Sequence, residues 1–550
     1  METSETDFVG HRYVTTLRFT KDLTVRYVLL TVIIVVAGDR PATAGLPRDA
    51  AAAIDRLFQA AWDREEVTPA VPAQDAEYFR RLYLDLAGRI PAVSEIRDLL
   101  ADESTDKRLR VVDKLLDSPA SVRHFTTSLR NAFIPQANSQ PQFRALIPGF
   151  EAWLWQRISE GQPYNQIVHD IITTELNVSA GPALLSTTSP DAFFVVRELK
   201  PENLASGTAR AFLGVRLDCA QCHDHPFDRW SQRQFWNMAA FYSGFTRSAD
   251  DDADNPVMMQ NMTEKTDVRS IGIPGTEDVV PAVYLTGLEP DWEDGSTTPR
   301  QKLANWVVDS ENPYFAKMAV NRLWAQFFGR GIVDPVDDFS ENNPASHPEV
   351  LDLLAEEFIN SDYDVKHIVK VITATDVYQL SSIQTHASQE ESSHFARATL
   401  RGLTPEQFFD STAEAVGYYQ PYRSDNPFVV DMNSPRAQFL DLFRNNVESP
   451  LERETTILQA LAMMNGNFID NATSVDDSQT LRAIAEFPAM SDEQKLDTLF
   501  LSVLSRRPSK AERRRFGDYL LSGGASENPK SALADVFWVL LNSSEFLLNH

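Results

Sequence analysis

Asp75-Ala-Glu-Tyr-Phe-Arg-Arg-Leu-Tyr-Leu-Asp-Leu-Ala87, followed by Gly88 and Pro91, is the stretch on which a reading of the fold turns. Phe79, Leu82 and Leu86 recur at three- and four-residue intervals, which is the period of an α-helix with one face turned to a core. Gly88 suits the left-handed residue after a helix, and Pro91 bars continuation. The same grammar repeats on either side. Thr105 to Asp117 sets Leu109, Val112, Leu115 and Leu116 on one face. Phe150 to Asn177 is a helical span carrying Trp153, Leu154, Ile158, Ile167, Ile171 and Ile172.

Helical signals resume beyond residue 298. Thr298-Pro299 reads as a cap with proline at the first helical position. Asn312 to Phe328 presents Ala316, Ala319, Val320, Leu323, Trp324 and Phe327 to a core before Gly329. Ser346 with Glu349, Thr404 with Gln407, and Ser509 with Glu512 have the spacing of reciprocal capping boxes. Between Phe245 and Pro299 the texture differs. Asp250 to Asp254 is a charge run, Gly272, Gly275, Gly287 and Gly295 accompany several prolines, and only Val279 to Leu285 reads as extended. The expected fold is mainly α, with two helical domains, 45–245 and 299–550, joined by an acidic Gly/Pro-containing excursion over 246–298 that holds a short β-hairpin.

Bulk properties bound the function. A chain of 550 residues with 43% hydrophobic content exceeds what one core of usual size accommodates. Its 78 acidic against 51 basic residues give a formal charge of -27, which disfavours nucleic acid and anionic membranes as partners. Near the amino terminus Arg12, Arg18, Lys21 and Arg26 precede an apolar run, Tyr27 to Ala37, and Ala42-Thr43-Ala44 follows. This order is that of a secretory signal peptide, residues 1–44, cleaved after Ala44. The run falls short of the roughly 20 residues that span a bilayer. Export to the periplasm or cell envelope is expected, with no further transmembrane segment.

The two cysteines of the chain form Cys219-Ala-Gln-Cys222-His223. Random placement would produce this in about one chain of ten thousand, and the spacing is that of c-type haem attachment. Two thiols can bind the two vinyl groups of haem while the adjacent imidazole, His223, ligates the iron. Such attachment occurs outside the cytoplasm, in agreement with the signal peptide. Other chemistries use the same residues. A local Cys219–Cys222 disulfide would contribute only about 2 kcal/mol through its short loop and would suit a non-catalytic interaction protein of the envelope. A redox dithiol expects a βαβ setting. A metal-dependent enzyme would draw on Cys219, Cys222, His223 and His225 with Asp224 and Asp228, plus a ligand from another segment.

Candidates for a sixth iron ligand are His169, Met238, Met258, Met259 and Met262, although Met238 beside Trp236 and Phe241 reads as core packing. His124, His347 and His367 read as structural. Neither a nucleophile elbow, a His-Glu-x-x-His zinc motif, a phosphate loop nor a dinucleotide fingerprint occurs.

Five ordered stretches carry a resemblance. Tyr78 to Pro91, Leu217 to Asp228, Asn321-Arg-Leu-Trp-Ala-Gln-Phe-Phe-Gly-Arg-Gly331, Ser346-His-Pro-Glu349 and Tyr378-Gln-Leu-Ser-Ser382 resemble the planctomycete cytochrome c-associated proteins. That resemblance implies two modules of unknown function, the first spanning Cys219 to His223. Relatives often carry an additional amino-terminal cytochrome c-like domain with its own attachment motif. Here one such motif occurs, so Cys219, Cys222 and His223 stand as the haem c candidate, with electron transfer to a redox partner protein as the expected role.

Overall fold

The structure, a computed structural model, describes residues 45–176, 188–246, 263–293, 297–419, 434–442 and 473–550. The expected signal peptide, the charge run at Asp250 to Asp254 and Met258, Met259 and Met262 lie outside the described residues. The fold is mainly α, as the periodicity requires, and among the described residues the strands form three two-stranded antiparallel pairings. Among the described residues no helix is long and apolar enough to cross a membrane.

The helix expected at Asp75 forms over Asp75–Ala87 and ends at Gly88, whose φ of 67° is the left-handed cap. A side chain there would collide with the His124 ring, since a Cβ would lie 2.7 Å from Nδ1. The expectation of one buried face is corrected, because this helix is enclosed all round: Arg80, Arg81 and Asp85 are as buried as Phe79 and Leu82. Partners make that tolerable. Arg80 donates to the carbonyls of Val503 (2.9 Å) and Phe546 (3.0 Å), and Arg81 to those of Tyr378 (2.6 Å) and Leu380 (2.9 Å). Unsatisfied, each guanidinium would carry a desolvation cost of several kcal/mol, of order 5. Even so, burial pulls the Arg80 guanidinium down to about 10.

Two cores flank this helix. The first gathers Ile54, Phe58, Phe79, Leu82, Phe150, Ile171, Phe212, Trp324, Phe358, Ile372 and Phe395. The second gathers Phe408, Phe409, Leu499, Phe500, Val536, Phe537 and Phe546, and takes Leu84 and Ile90 from the Asp75–Ala87 region. The two cores divide near residue 400, and the described part of the excursion belongs to the first of them. Ser270–Gly272 pairs with Val279–Pro281 as the expected hairpin, but Ile273, Val280, Ala282 and Leu285 are buried in the first core. Tyr284 stacks on Phe241 (5.3 Å) and on Trp306 (5.0 Å), so the excursion joins the elements on either side of it.

Local corrections have local causes. The span from Phe150 is two helices, Ile147–Ser159 and Tyr164–Thr173, broken at Gly161 and Pro163. The Thr298, Thr404 and Ser509 capping boxes form. Ser346 does not cap; its hydroxyl donates to the Ile332 carbonyl (3.1 Å), and the helix Pro348–Asn360 starts after His347.

Candidate functional site

The cysteine segment hangs from a distorted helix end. Helix Pro201–Thr208 loosens into a π-turn over Ala209–Leu213 and stops at Gly214, φ 68°. A Cβ at Gly214 would lie 2.6 Å from the Phe339 ring and 2.8 Å from the Met318 sulfur, so close approach demands glycine here. Phe339 N–H donates to the Gly214 carbonyl (2.8 Å). Beside it Asp337 accepts from Arg210 (2.5 Å) and from Arg216 (2.6 and 3.1 Å). Burial opposes charge on Asp337, but the two guanidiniums outweigh it and hold the carboxyl below the usual range.

Leu217 and Ala220 are fully buried and act as anchors on either side of Cys219. The 3-10 turn Asp218–Gln221 between them directs Cys219 and Cys222 outward, and both are exposed free thiols. Three hydrogen bonds from two side chains fix the turn from below. Trp236 Nε1 donates to the Gln221 carbonyl (3.0 Å), and Gln232 Nε2 to the carbonyls of Cys222 (2.9 Å) and Gln221 (3.3 Å). Asp224 in turn accepts from the Gln232 backbone N–H (2.8 Å), at the start of helix Gln232–Ala239.

His223 Nδ1 lies 2.8 Å from the Asp224 carbonyl oxygen. A carbonyl only accepts, so Nδ1 carries the proton and the lone pair is on Nε2, on an exposed ring. This is the tautomer an Nε2-ligating histidine needs, with its other nitrogen oriented by a backbone carbonyl. His225 is the reverse. Its Nδ1 accepts from the Phe227 N–H (3.3 Å), which leaves the proton on Nε2. Among the described residues no group of three His, Cys, Asp or Glu is placed to hold a metal ion. Met238 is buried core, as its aromatic neighbours suggested, and His169 bonds to Asn305 (3.0 Å).

Residues 53–247 match the family PSCyt2, described as a protein of unknown function (DUF1549), and residues 299–440 match PSD1, a protein of unknown function (DUF1553). Both are planctomycete cytochrome c-associated families of unknown function. No curated protein and no solved structure matches it.

The PSD1 module holds the cysteine segment of the PSCyt2 module. Asn321, in the Asn-Arg-Leu-Trp stretch, accepts from the Val333 N–H (3.0 Å) and donates to the carbonyls of Val333 (2.8 Å) and Val336 (3.2 Å). It thereby shapes the loop that delivers Asp337 and Phe339 to Gly214 and Arg216. Farther along, Asn342 donates to the Phe227 carbonyl. A second joint centres on Asp85 of the PSCyt2 module. Its carboxylate accepts from the Tyr378 hydroxyl (2.9 Å) of the PSD1 module, from Arg401 (2.9 and 3.0 Å) and from Asn549 (2.7 Å).

Between the modules and the chain's last residues lies a cavity of about 730 Å³, reaching from Asp85 to Asp218, the residue before Cys219. His124 lines it, accepting from Gln326 (3.3 Å) and pulled down to about 4 by burial, in keeping with a structural role. Neither the Asp85 joint nor this cavity follows from the motifs. The one hint is that Asp85, Arg322 and Asp218 all sit inside the stretches that carry the family resemblance.

Proposed function

We propose that Cys219-Ala-Gln-Cys222-His223 binds one covalent c-type haem in an exported protein that transfers electrons to a redox partner or serves an associated redox reaction. The observation that carries this reading is the pairing of two exposed free thiols with a histidine whose Nδ1 is already engaged and whose Nε2 is open. These groups fit the attachment points of the haem. Cys219 and Cys222 would hold it as thioethers, and His223 would offer Nε2 to the iron. When bound, haem supplies a one-electron Fe(III)/Fe(II) couple.

The chain's own contribution is orientation. Gln232 and Trp236 keep the turn's carbonyls engaged, so the two thiols stay on one outward edge. Asp224 fixes the imidazole tautomer, and a hydrogen bond of this kind raises the basicity of a ligating histidine. Phe227, 77% exposed, presents an apolar ring next to this polar edge. The apparent signal peptide and the association of both families with cytochrome c support the same reading.

The test is expression with the signal segment intact, in cells carrying a cytochrome c maturation system. A Soret band and a haem-stained band that survives denaturing electrophoresis are expected, both lost in the C219S/C222S variant. A colourless wild-type protein would overturn the proposal.

A further inference from the structure

Two helices turn polar stripes toward one end of the cavity. Helix Pro119–Phe133 lines it with His124, Thr127, Ser128 and Asn131, and helix Pro201–Thr208 with Asn203, Ser206 and Gly207. Both sets follow the three- and four-residue spacing of one helix face, which in Asp75–Ala87 carries Phe79, Leu82 and Leu86. Alone, each stripe reads as a solvated helix side. Arg197 makes them the walls of one site. Its Nη2 donates to the Phe133 carbonyl (2.9 Å) at the end of the first helix, and its own carbonyl accepts from Asn203 Nδ2 (3.2 Å) on the second. The walls therefore stand one arginine side chain apart. Arg197 forms the floor between them, packed on Gly207, where a Cβ would fall 1.8 Å from its Nε.

The walls carry hydrogen-bonding groups that are free and open. Asn138 Oδ1 accepts from Arg130, so Asn138 gives Nδ2 to Asn131 Oδ1 (2.8 Å), and Asn131 Nδ2 is left over. Asn203 Nδ2 is taken by the Arg197 carbonyl, which leaves Oδ1. The Thr127 hydroxyl has no partner among the described residues. Ser206 donates to Asp218 (2.5 Å) and keeps its lone pairs. All four residues are half-buried, and the free ends of Thr127, Asn131 and Asn203 stay open to solvent, unlike the sealed Nε of Arg197. Thr127 and Asn131 are one helical turn apart, with about 5–6 Å between Cβ atoms, and Asn203 and Ser206 are spaced likewise. The floor itself gives nothing to a ligand, because Arg197 Nη1 and Nη2 are held by the carbonyls of Phe193 (2.8 Å) and Phe133. Charge around it cancels. Arg210 pairs with Asp337 (2.5 Å) and Lys200 with Glu198 (2.5 Å), while Arg197 and Asp218, in no ion pair among the described residues, are opposite in sign.

We propose that the space between these two walls binds a neutral sugar, its hydroxyls donating to Asn203 Oδ1 and Ser206 Oγ on one side and meeting Asn131 Nδ2 and the Thr127 hydroxyl on the other. Two acceptors, one donor and one hydroxyl call for ligand groups that both donate and accept, which is what a sugar hydroxyl does. An anionic ligand would find no free guanidinium N–H on the floor and would face Asp218. Ala132, Val196 and Ala211, which also line this end, give the C–H faces of a ring apolar surface. A cavity of about 730 Å³ is within the ordinary range for small-molecule sites. Because Ser206 is bonded to Asp218, the residue before Cys219, a sugar held there lies beside the cysteine segment. Haem attachment is not required for this binding.

Calorimetric titration of the protein, expressed with its signal segment intact, tests this with glucose, galactose, mannose, xylose and maltose. Gluconate, an anion on the same carbon skeleton, and cyclohexanol, a ring with one hydroxyl, are the controls. At least one sugar is expected to saturate, about tenfold or more tighter than either control, since gluconate brings an uncompensated charge and cyclohexanol leaves polar groups unmet. Thr127→Val and Asn131→Ala should each weaken that sugar by about fivefold or more, the loss of one hydrogen bond. Thr127→Val keeps the side-chain shape and stands in if Asn131→Ala does not fold. The C219S/C222S protein should bind as wild type does, which separates this site from the haem reading. Absence of saturation by all five sugars, binding of gluconate or cyclohexanol as tight as the best sugar, or full affinity in Thr127→Val and Asn131→Ala would each overturn the proposal.

Discussion

Replacing Asp85 by alanine removes the joint between the two modules and the chain's last strand. Asp85 is 1% exposed and accepts four hydrogen bonds, two from Arg401 and one each from Tyr378 and Asn549. Loss of one member of a buried ion pair costs about 3–5 kcal/mol, because the other charge stays enclosed. The stranded Tyr378 hydroxyl and Asn549 amide add about 1 kcal/mol, less than their separate values because they share one acceptor. A total of about 5 kcal/mol is expected. The compact unit Ala44–His550 has roughly 500 residues and thus an unfolding entropy of about 1 kcal/mol/K, which places the fall in melting temperature at about 5 °C. Asp85→Asn keeps the shape and an acceptor but leaves Arg401 unneutralised, for about 3 kcal/mol. Adding Arg401→Met to Asp85→Asn should recover part of that loss, since the unneutralised Arg401 charge is then removed. Scanning calorimetry of wild type, Asp85→Ala, Asp85→Asn, Arg401→Met and the double variant checks this. A melting temperature for Asp85→Ala within 1 °C of wild type, or a double variant as destabilised as the sum of its singles, would refute the reasoning.

Two further outcomes follow from the same contacts. Asn321→Ala removes three hydrogen bonds that shape the loop to Val336, so amide exchange over 333–339 should quicken markedly, with a stability loss of about 2–3 kcal/mol; unchanged protection there would count against Asn321 as the loop's support. His124 and His347 are both pulled down to about 4, first by burial, whereas an unfolded histidine titrates near 6.5. Between those values the unfolded chain takes up protons that the folded one refuses, so stability should be full above about pH 6.5 and fall as pH drops toward 4. His124→Gln should flatten that slope in urea titrations across the range, and a slope identical to wild type would contradict the assignment.

What could be read from sequence was what neighbours in sequence decide. Phe79, Leu82 and Leu86 define a helix by spacing, and Thr298, Thr404 and Ser509 define helix starts because their partners are three residues away. Ser346 has the same spacing and fails, since the helix starts one residue later, at Pro348 with His347 in the cap position. Burial of Arg80, Arg81 and Asp85 was not legible, because their partners lie at 378, 401, 503, 546 and 549. The excursion around 246–298 hides its packing for a similar reason. Its composition is that of an exposed connection, yet Val280 and Leu285 suffice to anchor it in the first core. The cysteine motif could be found by spacing alone. Its support from Asp337, Asn321 and Asn342, more than 100 residues downstream, could not. The cavity draws its lining from both modules and the carboxyl-terminal residues, so no local pattern announces it.

The intact mass of the protein, made with a cytochrome c maturation system and its signal segment intact, tests the central claim most directly. The account predicts the chain from Gly45 onward plus the mass of one haem, and the chain alone in the C219S/C222S variant. A wild-type mass equal to the bare chain, or lower by two hydrogens as for a Cys219–Cys222 disulfide, would contradict it.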